Sequence, residues 1–479
     1  MMPIIPKEVL YRKMYFLHNA GMAQRSQTEL FCDWLENFLN YERFPKKGGF
    51  SLDTMRFLVE RFNHPEQSFS SVHVAGSKGK GSVSAMISRV IEESGTTCGL
   101  YTSPHMLDFS ERVGSASGPF SDELYGKACD ILIPLVDSII PEHLPGGKDP
   151  SWFELVTLFA FVAFREAPVE WAVVETGLGG RLDATNVIIP RISVITPIEL
   201  EHCEYLGSTL EQIAKEKAGI IKPGVAVFVA PQQSVVRKVF EHAAYEKGSP
   251  IFFLEDLLEY SECIQTDKGL QVTFSFRNSD GAPCFSRHIT SLLTFKNPIQ
   301  LQNAALSALA VKYLFPDLEE TVIASGLSKA WLPGRFEIIR NNPLVVLDGA
   351  HTVSSITLTR DAFSSVSTKP ARLLFACAAD KNVERMAEIL CPFFTSITLT
   401  RPGDRKESDL GHTETAFKQV ISTMDDEDTD NRPALEIEEN FEKAIRKVWD
   451  ASAKEATPLL VTGSFYLVAE MKRILSSQL

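Results

Sequence analysis

The sequence predicts an α/β protein built on two parallel sheets, and three observations carry that expectation. Between residues 72 and 230, short β-branched runs alternate with segments at helical spacing, the pattern of strands joined by crossover helices. The same alternation returns after residue 344. At 479 residues the chain is also long for a single hydrophobic core, so two domains are expected.

Taken in order, residues 1–71 read as helical. Leu30, Phe31, Trp34, Leu35 and Leu39 share one apolar face, and Met55, Leu58, Val59 and Phe62 another, before Asn63-His64-Pro65 stops the second helix. Val72 and Val74 then mark a strand entering the turn Gly76-Ser77-Lys78-Gly79-Lys80-Gly81-Ser82. Val83, Met86, Ile87, Val90 and Ile91 follow at helical spacing. Strand, glycine-rich loop, Lys, Ser and helix in that order make a P-loop. The glycines let backbone N–H groups turn onto a phosphate, Lys80 supplies a point charge, and the helix start adds its positive end. The usual pattern has Ser or Thr directly after the Lys, whereas here Gly81 intervenes. An ordinary glycine-rich turn is the competing reading, and the flanking strand and helix favour a nucleotide phosphate.

A strand at 99–101 runs into Thr102-Ser103-Pro104-His105 and then Glu111-Arg112. A hydroxyl at a strand's carboxyl end beside a P-loop suits Mg²⁺, although Ser-Pro alone reads as a turn. The strand at 171–174 delivers Glu175 and the glycine-rich stretch up to Asn186, where α/β sheets place ligands. A strand at 191–196 leads to Glu199, Glu201 and His202, and a helix is expected over 210–221, with Lys215, Lys217 and Lys222. A lone His after a strand is more often a structural hydrogen-bonding group, and the lysines by themselves read as a solvated face. Another strand follows at 225–229. From 252 to 295 the texture changes to short strand-like runs around Asp280-Gly281, a small antiparallel appendage. A helix over 299–315 contains Gln300, Gln302 and Asn303, and 331–336 is the expected domain joint. Further strands are expected at 344–347, 373–376, 396–399 and 459–461. The first ends in Asp348-Gly349-Ala350-His351 and the last in Thr462-Gly463-Ser464 before a helix. Asp425-Asp426-Glu427-Asp428 reads as a solvated loop insertion.

Composition narrows the partners. Lys+Arg 48 against Asp+Glu 61 gives a net charge of −13, which disfavours a general nucleic-acid or anionic-membrane binder. For anionic ligands, positive charge must then be concentrated locally. The 8 cysteines are scattered without CxxC pairing, and with the P-loop they read as reduced thiols in a cytoplasmic enzyme. Residues 1–21 lack a continuous apolar core, so no secretory signal is expected, and no uncharged run reaches membrane-spanning length.

The ordered set of motifs resembles one family: the folylpolyglutamate synthase/dihydrofolate synthase ligases, relatives of the Mur cell-wall ligases. The resemblance runs through Asn40-Tyr41-Glu42-Arg43, His73-Val74-Ala75-Gly76 and the P-loop with its extra glycine before Ser82. It continues in Tyr101-Thr102-Ser103-Pro104-His105, Glu111-Arg112, Phe153-Glu154, the stretch from Glu175 to Asn186, and Glu216-Lys217-Ala218-Gly219-Ile220-Ile221-Lys222. Leu332-Pro333-Gly334-Arg335, Asp348-Gly349-Ala350-His351 and Thr462-Gly463-Ser464-Phe465-Tyr466 complete it. Each piece is weak alone, and their order together is specific.

The resemblance implies a P-loop NTPase-like parallel-sheet domain over 1–330, followed by a smaller Rossmann-like α/β domain over 331–479. It implies ATP-dependent amide formation, in which a folate or dihydropteroate carboxylate is phosphorylated and the amine of L-glutamate attacks the acyl phosphate. ATP and two Mg²⁺ ions are the implied cofactors. Gly76, Lys78, Gly79, Lys80, Gly81 and Ser82, with Asn303, Arg335 and Asp348, would hold the nucleotide. Ser103, Glu175, His202 and a carbamoylated Lys217 would hold the metal. Lys80, Lys217 and His351 take catalytic positions, and Arg112, Phe153, Asp183, His351 and Ser464 substrate positions. The site is expected to close between the domains, excluding water from the acyl phosphate. No nucleic acid or membrane is implied, and the working unit is expected to be a monomer.

Four departures stand out. Ser77-Lys78 occupies the place of a usual Thr-Asn, Ile299 that of a common His, Glu201 that of an Asp, and Thr352-Val353 that of Asn-Pro after His351. The last touches the glutamate and ribose side. Two rivals therefore remain: a Mur-type ligase for another carboxylate, disfavoured by the short segment before the P-loop, and a nucleotide-binding regulatory protein that has lost ligation. Retention of Lys80, Ser103, Glu175, His202 and Lys217 together disfavours the second.

Overall fold

Val72, Val74 and Ala75 are fully buried, and the strand they form, β1 (Ser70–Ala75), is covered on both faces. Around it the computed structural model describes residues 25–41, 50–266, 269–367, 370–404, 407–424 and 432–475. The readings of residues 1–21, of Glu42 and Arg43, and of Asp425 to Asp428 lie outside the described residues.

The chain forms two units. One comprises Met1–Glu262, Thr273–Ser291 and Leu301–Ala330; the other comprises Cys263–Val272, Leu292–Gln300 and Trp331–Leu479. In the first, β2 (Cys98–Tyr101), β3 (Val113–Ser115), β4 (Gly118–Pro119), β5 (Trp171–Glu175), β6 (Ile192–Ile195), β7 (Ala226–Val229) and β8 (Ile251–Phe253) join β1 in the order β4-β3-β2-β5-β1-β6-β7-β8. From β2 to β8 all pairings are parallel, while β3 and β4 add an antiparallel edge. Two apolar clusters lie side by side on one face of the sheet, the face to which Val174 and Ala75 both point. One centres on Phe31, Phe159 and Tyr101, the other on Ile195, Ile213 and Phe240. The Trp152–Glu166 helix belongs to the first, and Leu155 through Phe164 are buried without interruption.

A separate three-stranded sheet runs β11 (Ile289–Leu293), β10 (Gly269–Phe276), β9 (Leu258–Thr266). In the second unit β12 (Glu337–Asn341), β13 (Leu344–Leu347), β14 (Arg372–Phe375), β15 (Ser396–Leu399), β16 (Ala434–Ile437) and β17 (Leu459–Thr462) are ordered β12-β13-β17-β14-β15-β16. All but the β12–β13 pair are parallel. Both units therefore have the α/β architecture expected from the sequence. The helix expected over 210–221 is shorter, Leu210–Ala218. Past it the chain turns through Ile220 N–H to Lys217 O (3.2 Å) and Ile221 N–H to Ala218 O (3.0 Å). The Asn186 side-chain amide takes the carbonyl of Gly219 at 3.1 Å, so a residue distant in sequence sets the helix end.

Among the described residues no helix is long and apolar enough to cross a membrane.

Candidate active site

In the first unit, the carboxyl ends of three adjacent strands converge because β5 and β6 flank β1 in register. Val74 pairs with Glu175, and Ala75 with Ile195. The loop after β1 therefore emerges between Thr176 and Thr196, whose N–H groups bond Val74 O and Ala75 O, each at 2.9 Å. Gly76 is obligatory there: at φ +147° a Cβ would lie 1.8 Å from Thr196 Oγ1. Ser77 N–H and Lys78 N–H both bond Pro197 O, at 2.9 and 3.3 Å, anchoring the loop to the end of β6. Gly79 (φ +86°) precedes the Lys80–Glu93 helix, and a Cβ on it would come within 3.0 Å of Asn303 Oδ1. Asn303, on the Gln300–Leu314 helix, is thus placed at the phosphate loop. The first intrahelical bond near this end is Val83 N–H to Gly79 O, at 2.9 Å. The N–H groups of Lys80, Gly81 and Ser82 come before it, the arrangement that attracts an anion.

Positive charge is concentrated at this point. Lys80 Nζ donates to Gly76 O at 2.9 Å, and the buried Lys217 Nζ donates to the same carbonyl at 2.7 Å and to Glu201 Oε1 at 2.9 Å. Burial pulls the Lys217 amine down to about 8, reinforced by Lys80 and opposed by Glu201. Burial alone would raise the Glu201 carboxyl, but Lys80, Lys217 and Lys78 outweigh it and bring it to about 2. Three lysines thus bear on one carboxylate, leaving excess positive charge on a protein of net charge −13. The local concentration required by the overall charge is present.

A pH dependence follows from Glu201. Between its ordinary 4.5 and its folded value of about 2, the unfolded state holds the extra proton. The stabilisation is complete above about pH 4.5 and is lost as pH falls toward about 2. Urea midpoints compared at about pH 5 and about pH 3 are expected to fall further for the wild type than for Glu201→Gln.

Next to this cluster, Ser103 N–H donates to Glu175 Oε2 at 3.2 Å, and Glu175 is only 3% exposed. The Glu111 carboxylate shapes the loop carrying Ser103 by accepting from Met106, Leu107 and Asp108 N–H at 2.6, 3.0 and 3.2 Å. Arg112 is buried, with Nε donating to His105 Nδ1 at 2.7 Å and its guanidinium 4.8 Å from the Trp152 ring centroid. Phe153 lies against Gly177, where a Cβ would come within 2.3 Å of the ring. Ser103, Glu175, Arg112 and Phe153 therefore share the β2–β5 end of the sheet. His202 is exposed and takes left-handed backbone (φ 46°) at the start of the Cys203–Leu206 helix. Among the described residues no three His, Cys, Asp or Glu side chains are grouped to hold a metal ion. The hydroxyl of Ser103 and the carboxylate of Glu175, completed by phosphate oxygens, are nonetheless the hard donors that Mg²⁺ takes.

Two carboxylates expected at the site accept several hydrogen bonds from within their own units. Asp183 accepts from Leu178 N–H (2.8 Å), Thr185 N–H (3.1 Å) and the Thr185 hydroxyl, and so braces its own loop. Asp348, in the second unit, accepts from Phe336 N–H (2.8 Å), Ala350 N–H (2.8 Å) and the Thr359 hydroxyl (3.0 Å). Burial raises both carboxyls; the Arg335 charge opposes this at Asp348. In the same unit Arg335 lies 4.4 Å from the Phe465 ring centroid, and the His351 ring lies 5.7 Å from it. His351 Nδ1 is 2.9 Å from Gly349 O, and Ser464 Oγ accepts from Tyr466 N–H at 3.1 Å. Thr352, one of the departures, caps the Val353–Val366 helix in a capping box with Ser355. The sequence reading missed the Glu201–Lys217 pair, Thr196 under Gly76, and the partners Trp152 and His105 of Arg112. Only the box-like spacing at Thr352 carried a local signal.

Sheet order, phosphate loop and lysine cluster together define a P-loop nucleotide-binding α/β protein. A family model described as "Mur ligase, glutamate ligase domain" matches residues 334–465. The dihydrofolate synthase/folylpolyglutamate synthase of Bacillus subtilis is 35% identical over 345 residues, spanning 71% of this chain and 78% of the relative. The chain belongs to the folylpolyglutamate synthase/dihydrofolate synthase family. The solved Mycobacterium tuberculosis folylpolyglutamate synthase complexed with ADP and AMPPCP is similar with a TM-score of 0.80 and 25% identity, covering 94% of this chain and 98% of that one. A folylpolyglutamate synthase–AMPPCP–folate complex is similar with a TM-score of 0.75 and 26% identity, covering 94% and 100%.

Proposed function

We propose that this chain joins L-glutamate to the carboxylate of a folate or of dihydropteroate, using ATP and releasing ADP and phosphate. The observation that carries this reading is the convergence of Lys78, Lys80 and Lys217 around Glu201 at the phosphate loop, beside the buried Glu175. Transfer of a phosphoryl group to a carboxylate brings several anionic oxygens together, and fixed cations and N–H donors must offset their repulsion. The loop amides and Lys80 bind and orient the ATP phosphates, and Asn303 contacts the nucleotide. Ser103, Glu175 and His202 would hold Mg²⁺, which when bound neutralises phosphate charge. Lys217 would complete that set as a carbamate, formed when its neutral amine adds CO₂ and releases a proton. Arg112 and Phe153 orient the pterin-bearing substrate. Arg335 is assigned to phosphate, and His351 and Ser464 to substrate.

The test is ADP release from ATP and Mg²⁺ with glutamate present, comparing dihydropteroate, tetrahydrofolate and no acceptor. Turnover that needs both glutamate and a pterin is expected, and the preferred acceptor distinguishes the two activities. Nucleotide binding with no pterin-dependent turnover would favour the regulatory rival, and turnover with other carboxylates the Mur-type one.

A further inference from the structure

His73 belongs to the motif before the phosphate loop, yet the ligase reading gives it no task. It is fully buried in β1, on the same sheet face as Ala75, which packs in the cluster containing Ile213 and Ile220. Its Nε2 lies 2.9 Å from Thr185 Oγ1, and the Thr185 hydroxyl donates to Asp183 Oδ1. A hydroxyl has one proton. With that proton on Asp183, the Thr185 oxygen accepts from His73, which fixes the ring as the Nε2–H tautomer. Burial, seconded by the charge of Lys222, pushes the imidazole down to about 3 and keeps it neutral. Nδ1 has no hydrogen-bond partner among the described residues, so the ring is committed to the loop through Nε2.

From Asp183 the bonds spread in two directions. Oδ2 accepts Leu178 N–H at 2.8 Å, fixing the turn that directly follows Glu175. On the other side Asn186 Nδ2 donates to Arg181 O (3.0 Å) and Gly219 O (3.1 Å), and Arg181 N–H donates to Glu216 O (2.7 Å). The same loop is therefore fastened to the helix that carries Lys217. An aliphatic residue at position 73 would suit the sheet but leave the Thr185 oxygen without its donor.

We propose that His73 is a positioning residue for ligation: its N–H, relayed through Thr185 and Asp183, sets the 176–186 loop and so holds Glu175 and Lys217 in working register. The inference rests on the roles given above to those two residues. It is tested with His73→Leu, which keeps bulk and removes the donor, and His73→Gln, which restores an N–H at similar reach. Folded His73→Leu is expected to lose about 10- to 100-fold in kcat and to need more Mg²⁺ for half-maximal turnover. KM for ATP should change by less than about twofold, because the phosphate-loop backbone is untouched. His73→Gln should recover most of kcat. Wild-type kcat and Mg²⁺ requirement in folded His73→Leu would overturn the proposal. So would losses in both variants that track only a lowered melting temperature. If His73→Leu does not fold, His73→Asn, which shortens the reach, replaces it. Should the wild type turn over no pterin substrate, the functional reading fails on its own. Calorimetric titration of AMPPCP at varied Mg²⁺ then still decides on His73, and an identical Mg²⁺ dependence in wild type and variant sinks it.

Discussion

Lys217→Ala is expected to lose about 100-fold or more in ligation rate, measured as pterin-dependent ADP release. Lys217 is 1% exposed and bonds both Gly76 O and Glu201, so the substitution opens a polar hole beside the phosphate loop. As an ammonium, Lys217 would repel a nearby cation; as a carbamate it would attract one. The route to the carbamate is open because burial brings the amine to about 8, leaving about a tenth of it neutral at pH 7. Formate or acetate added to Lys217→Ala should restore part of the rate by entering the vacated space. Wild-type turnover in the variant would remove the carbamate role. A lost rate that no small carboxylate restores would leave Lys217 as a partner of Glu201 alone.

Glu175→Gln should separate chemistry from folding. The amide keeps an oxygen to accept Ser103 N–H, now 3.2 Å from Glu175 Oε2, and keeps the side-chain volume at the end of β5. Only the charge is lost. Turnover is expected to fall by about 100-fold and the Mg²⁺ needed for half-maximal rate to rise by about tenfold or more. The melting temperature should move by only a few degrees, roughly the effect of a modest surface change. A parallel collapse of melting temperature and rate would assign Glu175 to the fold instead.

How much of this was legible beforehand depended on how local each interaction is. The phosphate loop could be read because its determinants are consecutive: apolar alternation in β1, glycines at the turn, Lys80, then helical spacing. Asn303 could be named only through the family resemblance, since nothing in its own helix points to Gly79. The bracing partners of Asp183 and Asp348 were not legible in the motifs that carry them. Asp183 accepts from Leu178 N–H and Thr185 N–H of its own loop, and Asp348 from Ala350 N–H beside it and from Phe336 N–H, twelve positions earlier and before β12. Helix length behaved similarly: periodicity ran on to 221, while the Asn186 amide fixed the end near Gly219.

By itself the sequence determined the α/β class, the phosphate loop and the family, because strand and helix periods, turn residues and ordered motifs are properties of neighbours along the chain. Tertiary structure alone decided the rest. It placed Lys217 against Glu201, sixteen positions apart, and against Gly76 O, 141 positions away. It put Thr196 under Gly76 and His73 against Thr185. Those contacts follow from strand order, with β5 and β6 flanking β1, and they set the charges: burial lowers the Lys217 amine, while the lysines lower the Glu201 carboxyl against burial.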